Sequence, residues 1–257
     1  MKPRSGTFDI IAPMNRKDAL VVAGTTIAGA ILPRAAIAQS QDSGYSPAAV
    51  RVAFVVGPVS NLIDIAGPYE VFGDTYGSKT GGPPPNGADN FLGKDTGARP
   101  LYAPYLVSDT LEPVKAGRGV TILPDYTFAT APAPGAIVMG AQSKHSPAKL
   151  EWIREMSRAA EVVMSVCTGA YVLAGTGLLD GKRATTHHDY YDDFAATFPK
   201  VTVVRGPRYV EEGKFKTAGG LTSGIELAIH VVALMHGESR ADLIAHYLEY
   251  VRTERPA

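Results

Sequence analysis

The chain has 257 residues, with 25 lysines and arginines against 25 aspartates and glutamates, a single cysteine and 45% hydrophobic residues. Balanced charge with no dense Lys/Arg block argues against a nucleic-acid or anionic-membrane surface, which leaves small molecules or a second copy of the chain as partners. One cysteine makes no internal disulfide, so the fold must rest on its core and the thiol stays available for chemistry or oxidation.

The first forty residues read as a separate element. Met14-Asn-Arg16-Lys17-Asp18 is a basic start, Ala19 to Leu32 is mildly apolar, and Ala36-Ile-Ala38 before Gln39 is a small-x-small cleavage signal. The pattern predicts an export signal over residues 1–38 that resembles a twin-arginine leader with one arginine replaced. Both the general and the twin-arginine routes stay open, as do Met1 and Met14 as the start. The apolar run is short and carries Gly24, Thr25, Thr26 and Gly29, so no stable membrane insertion is expected after processing and the mature protein is expected in the periplasm. A linker over 39–49 and one domain over 50–257 would follow, a comfortable size for a single core.

Along that domain, strand and helix patterns alternate, which predicts an α/β fold with a mostly parallel sheet covered on both faces. Strands are expected at Val50–Val56, Leu101–Val107, Val120–Leu123, Ala136–Met139, Glu161–Val166, Thr202–Val204, Tyr209–Glu212 and Phe215–Ala218, the last two joined by a tight Gly213-Lys214 turn. Helices are expected at Asp64–Gly73, Ser146–Ala159 and Asp189–Phe198, then a long one capped by Ser223 and running to Met235. A final helix is striped by Leu243, Ile244, Tyr247, Leu248 and Val251. Gly77 to Pro100, with Gly81-Gly-Pro-Pro-Pro85, is the one long irregular segment and reads equally as a lid, a contact surface or a tolerated insertion.

Cys167 falls where Glu161-Val-Val-Met-Ser-Val166 breaks into a helix. A side chain on such a turn is pushed out above the sheet, and amides opening the next helix lower a thiol's pKa, so Cys167 is expected to be an exposed, acidic nucleophile. Its alternative role is that of a small buried apolar residue. Thr168 offers an amide and a hydroxyl beside it, and Gly140-Ala141 after the short strand is the matching place for a second amide donor. His187 and His188 with Asp189 match no zinc spacing, so neither metal nor cofactor is called for. His230, on the apolar face of a long helix, is expected to be a hydrogen-bonded structural histidine, and Glu70 is likewise assigned to structure.

Four ordered motifs then carry a resemblance: Asp64-Ile-Ala-Gly-Pro-Tyr-Glu-Val-Phe72, Ser165-Val-Cys-Thr-Gly169, Gly175-Thr-Gly-Leu-Leu-Asp-Gly-Lys-Arg-Ala-Thr-Thr-His187 and Ala218-Gly-Gly-Leu-Thr-Ser-Gly-Ile-Glu-Leu-Ala-Ile-His230. Together, from about Arg51 to Gly237, they resemble the ThiJ/PfpI superfamily. Within it they are most similar to isonitrile hydratases and to the amidotransferase-like sensor domain of AraC-type regulators. The resemblance implies a flavodoxin-like three-layer sandwich, a homodimer, a nucleophile at Cys167 and a neighbouring carboxylate at Asp64, with His187 either lining the pocket and orienting the site or standing behind it or at a dimer contact. Many relatives carry glutamate where this chain has Asp64, and several proteases of the superfamily carry histidine where it has Thr168. Both departures point away from protease and glyoxalase-like activity and toward the hydratase branch.

A carboxylate beside a thiolate repels it, so the two should share a proton and titrate as a pair. The implied reaction is water addition to a small electrophile, an isonitrile, giving an N-substituted formamide through the cysteine. The alternative is a ligand-binding or redox-sensing protein that turns nothing over. The leader reading is checked by N-terminal sequencing of protein recovered from a periplasmic fraction. The expected first residue is at or near Gln39, and an intact leader on cytoplasmic protein would refute export.

Overall fold

The computed structural model describes residues 49–77, 99–143 and 145–253. The chain divides into two units, Met1–Ser40 and Gln41–Ala257, and every described residue belongs to the second. The expected leader, most of the linker, and 78–98 of the Gly77–Pro100 segment lie outside the described residues.

In chain order the elements are β1 (Val50–Val55), α1 (Leu62–Gly73), β2 (Tyr76–Gly77), β3 (Arg99–Pro100), β4 (Tyr102–Ser108), β5 (Val114–Lys115), β6 (Thr121–Ile122), β7 (Tyr126–Thr127) and β8 (Ala136–Met139). There follow α2 (Pro147–Met156), β9 (Val162–Val166), α3 (Gly169–Gly175), β10 (Arg183–Ala184), α4 (Tyr191–Thr197) and β11 (Thr202–Val203). The last elements are β12 (Tyr209–Glu212), β13 (Phe215–Ala218), α5 (Ser223–His236) and α6 (Glu238–Tyr247). Seven strands form one sheet in the order β12-β13-β9-β8-β1-β4-β7. All pairs are parallel except the β12–β13 hairpin, where Glu212 faces Phe215 across the expected turn.

Both faces of the sheet are covered, which is why β8 is apolar throughout and β1 and β9 are broken only by the exposed Arg51 and the buried Ser165 rather than alternating. Val52, Phe54, Val138 and Met164 point to one side, where they meet Ile65, Val71 and Phe72 of α1, Leu227 and Val231 of α5 and Ile244 of α6. Ala53, Val55, Ile137 and Val163 point to the other, against Trp152 and Ile153 of α2, Val172 and Leu173 of α3 and Phe194 of α4. The result is the three-layer α/β sandwich with a mostly parallel sheet that the sequence predicts. Among the described residues no helix is long and apolar enough to cross a membrane.

Differences are local. The Val120–Leu123 strand is a two-residue rung, β6, paired with β5 outside the main sheet. Ser223 is the first helical residue rather than the cap; Thr222 precedes it and its side chain makes no capping bond. The helix expected from Asp189 opens as a 3₁₀ turn over His188–Tyr190 before α4 begins.

Parallel strands deliver their C-terminal ends to one edge, and the loops after β1, β8 and β9 converge there. Gly169 sets how closely they approach. A Cβ placed on it would lie 2.2 Å from the Met139 carbonyl oxygen and 3.0 Å from the Gly140 carbonyl carbon, both backbone atoms of the neighbouring strand end. Gly169→Ala should therefore cost about 3 kcal/mol or more in urea denaturation, because backbone must move to admit the methyl. Gly175→Ala at the other end of α3 would meet nothing closer than Leu150 at 3.6 Å. It should be neutral, or stabilising by about 0.5–1 kcal/mol.

Candidate active site

Cys167 sits between β9 and α3 with φ at 57°, a left-handed conformation that a side chain with a Cβ adopts only under constraint. The constraints are visible. Its amide donates to the carbonyls of Gly219 (2.7 Å) and Ala218 (3.2 Å) at the end of β13, and the Thr186 hydroxyl donates to its carbonyl at 3.0 Å. Three bonds from two segments thus pin the turn that carries the sulfur at the strand ends.

Three donors and one acid surround that sulfur. The amide and hydroxyl of Thr168 and the amide of Leu221 hydrogen-bond it, and the Asp64 carboxylate lies beside it. Thr168 is thus where the sequence places it. Leu221 carries no residue-type signal, because a main-chain amide is offered by almost any side chain. Its own φ of 51° is the second left-handed non-glycine residue at the site.

Asp64 lies in the first turn of α1 and is fully buried. Its Oδ2 accepts the amide of Ala141 at 2.9 Å. Gly140 is glycine for a steric reason: a Cβ there would fall 2.6 Å from the Cβ of Asp64. Of the Gly140-Ala141 pair expected to offer a donor to the substrate, the Ala141 amide is taken up here by the carboxylate.

The expected acidity of Cys167 is corrected too. The residue is 6% exposed rather than thrust into solvent. Burial, followed by the Asp64 charge, pushes the thiol up to about 11 despite the three donors. The α3 helix has only seven residues, and its dipole does not outweigh a nearby carboxylate in a dry site. Burial also lifts Asp64 to about 6, opposed by the Ala141 amide and the thiol. Near neutral pH the shared proton therefore sits on sulfur and the charge on the carboxylate, so Asp64 is placed to act as the base for the thiol.

His187 packs against the loop that carries Leu221: a Cβ on Gly220 would meet its Cδ2 at 2.4 Å. Its Nδ1 accepts the Asp189 amide at 3.2 Å, which leaves the proton of the neutral ring on Nε2. Among the described residues no histidine is a partner of the thiol, so His187 does not complete a Cys-His pair. Ligand atoms of His187, His188 and Asp189 lie within 4.8 Å of one another. The two imidazoles, however, stack face to face at 4.3 Å and 25°, and a metal in the plane of one ring lies outside the plane of the other. His230 is structural as expected, with Nε2 2.6 Å from Glu211 Oε1 and its ring stacked on Tyr209.

Residues 94–234 match the DJ-1/PfpI family. An isonitrile hydratase of Pseudomonas putida is 31% identical over 208 residues, 79% of each chain. The transcriptional regulator CdhR of Pseudomonas aeruginosa is 30% identical over 145 residues, 55% of this chain and 43% of that one. Among solved structures, a ThiJ/PfpI family protein from Pseudomonas syringae superposes with a TM-score of 0.64 at 22% identity, covering 83% of this chain and 78% of that one. Drosophila melanogaster DJ-1beta gives 0.62 at 15%, covering 79% and 99%.

The site makes a two-part prediction for Asp64→Asn. Because the folded state raises Asp64 from 3.8 to about 6, the native protein holds that proton more tightly, and stability falls as pH rises through that window. The variant lacks this loss, so its stability relative to wild type should increase across the window by about 3 kcal/mol and then level off. Removing the charge should also lower the pKa of Cys167 and shift the rate–pH profile of iodoacetamide labelling to lower pH. A profile unmoved by the substitution would show that the two groups do not interact.

Proposed function

The chain belongs to the DJ-1/PfpI family, and we propose that within it this protein is an isonitrile hydratase-like hydro-lyase working through Cys167 and Asp64. The observation that carries the reading is the buried thiol–carboxylate pair with no histidine partner, in a chain similar to a hydratase over most of its length. Similarity to a regulator over part of the chain supports a second reading, a ligand-binding protein without turnover.

The pair's proton bookkeeping suits the reaction. As sulfur bonds to the terminal carbon of the isonitrile, Asp64 takes the S–H proton and then returns it to that carbon, leaving a thioimidate, S–CH=N–R. Water adds to the same carbon, giving up one proton through Asp64 while nitrogen gains one. The C–S bond then breaks, sulfur is reprotonated, and R–NH–CHO leaves, so R–N≡C and H₂O balance the formamide. The donors from Thr168 and Leu221 stabilise sulfur whenever it carries charge, on attack and again on departure. Gly140, Ala141 and His187 shape the pocket around the incoming carbon rather than react with it.

Incubation of the mature protein with a panel of small alkyl and aryl isonitriles, following formamide by mass spectrometry, tests the reading. Turnover is expected, abolished in Cys167→Ala and reduced by about 10²- to 10⁴-fold in a folded Asp64→Asn, whose amide cannot carry the proton. Asp64→Glu should also lose activity, because the longer side chain crowds a thiol already in contact. No formamide from any isonitrile, with saturable binding of one of them, would favour the binding protein.

A further inference from the structure

After α6 the chain reverses at Glu249, φ 51°, and the segment 248–253 returns over the start of α5. There it meets Glu226, which is 1% exposed. The Tyr250 hydroxyl donates to Glu226 Oε2 at 2.9 Å, the Thr253 amide to Oε1 at 3.0 Å, and the Thr253 hydroxyl to Oε2 at 3.2 Å. Arg208 supplies the countercharge, with Nε 3.7 Å from Oε2. A buried carboxylate so supplied is stable, whereas the same group stripped of its donors would not stay buried.

The same atoms reach the thiol's loop. Arg208 Nη2 donates to the Thr222 hydroxyl at 3.3 Å and to the Tyr250 hydroxyl at 2.9 Å, and its main-chain carbonyl accepts the Gly219 amide at 2.8 Å. Tyr250 Oη also lies 3.4 Å from the Thr222 carbonyl oxygen. Gly219 and Thr222 bracket Leu221, and a leucine held left-handed stays so only where its neighbours over-determine it.

We propose that the segment 248–253 is a positioning strap: through Glu226, Tyr250 and Arg208 it fixes Leu221 so that its amide stays on the Cys167 sulfur. Glu226 and Tyr250 are then positioning residues for the thiol, although neither is among its partners. The proposal rests on Cys167 being the reacting group, but its readout is the thiol itself and not isonitrile turnover.

The test is the rate of iodoacetamide labelling of Cys167 between pH 7 and 11 in the full chain, with Tyr250→Phe, Glu226→Gln and Arg252→Met. Arg252 lies in the same segment but pairs with Glu238 (2.6 Å) and Asp242 (3.1 Å) on α6, so it reports general loosening. Loss of one amide donor should raise the thiol's pKa by about one unit and slow labelling about tenfold along the rising limb in Tyr250→Phe and Glu226→Gln. Arg252→Met should melt earlier with its rate–pH profile in place. Should Glu226→Gln fail to fold, Tyr250→Phe, which removes one oxygen, decides alone. Labelling at the wild-type rate or faster in the strap variants, or an equal shift in Arg252→Met, would overturn the proposal. A wild-type protein that labels but hydrates no isonitrile would refute the hydratase reading and leave this result standing.

Discussion

A carboxylate and a thiol held in contact away from water have room for one negative charge between them, and the architecture around them follows from that limit. Asp64 reaches the sulfur only because Gly140 has no Cβ to obstruct it, and the loop bearing Cys167 reaches Asp64 only because Gly169 lets α3 press on the end of β8. The Ala141 amide steadies the charge where it rests, on the carboxylate, while the donors from Thr168 and Leu221 favour charge on the sulfur. Charge can then pass from oxygen to sulfur without solvent entering, which is the condition under which fixed dipoles are most effective.

Strain enters at the same two residues. Cys167 and Leu221 both carry left-handed backbone, each at a cost of about 1 kcal/mol or more that the surrounding hydrogen bonds must offset. The turn at Cys167 is stitched to β13 and to Thr186. The turn at Leu221 is bracketed by Arg208 and backed by the buried Glu226. Neither segment would hold its shape alone, so the site is a property of the assembled sheet rather than of a motif.

That division explains what was legible in the sequence. Central strands such as Ala136–Met139 and Val162–Val166 announce themselves because burial on both faces requires mostly apolar residues, with Ser165 the one polar residue in the two, and the β12–β13 hairpin announces itself through Gly213-Lys214. Cys167, Thr168 and Asp64 were legible as residue types in ordered motifs. What was not legible depends on neighbours distant in the chain. The direction of the thiol's shift turns on its burial and on the charge of Asp64, about a hundred residues upstream, and a local helix-start argument points the wrong way. The Ala141 amide was assigned to substrate because a sequence does not reveal which acceptor an amide meets. Leu221 was passed over because amides have no letter, and the two-residue rungs of β5 and β6 are too short to leave a periodic trace.

Most of the donors around the sulfur are main-chain, and this has a consequence for how the site can change over time. Substitution at Leu221 alters bulk at the rim but not the amide, and substitution at Thr168 removes a hydroxyl but leaves an N–H. The capacity to stabilise a charged sulfur is thus encoded by the path of the backbone and is hard to erase one codon at a time. The acid is different, since a single replacement of Asp64 removes the buried carboxylate beside the thiol. A lineage built on this frame can therefore lose or regain the carboxylate in one step while the backbone donors persist, which is a physical route by which one scaffold comes to serve proteins that differ in chemistry.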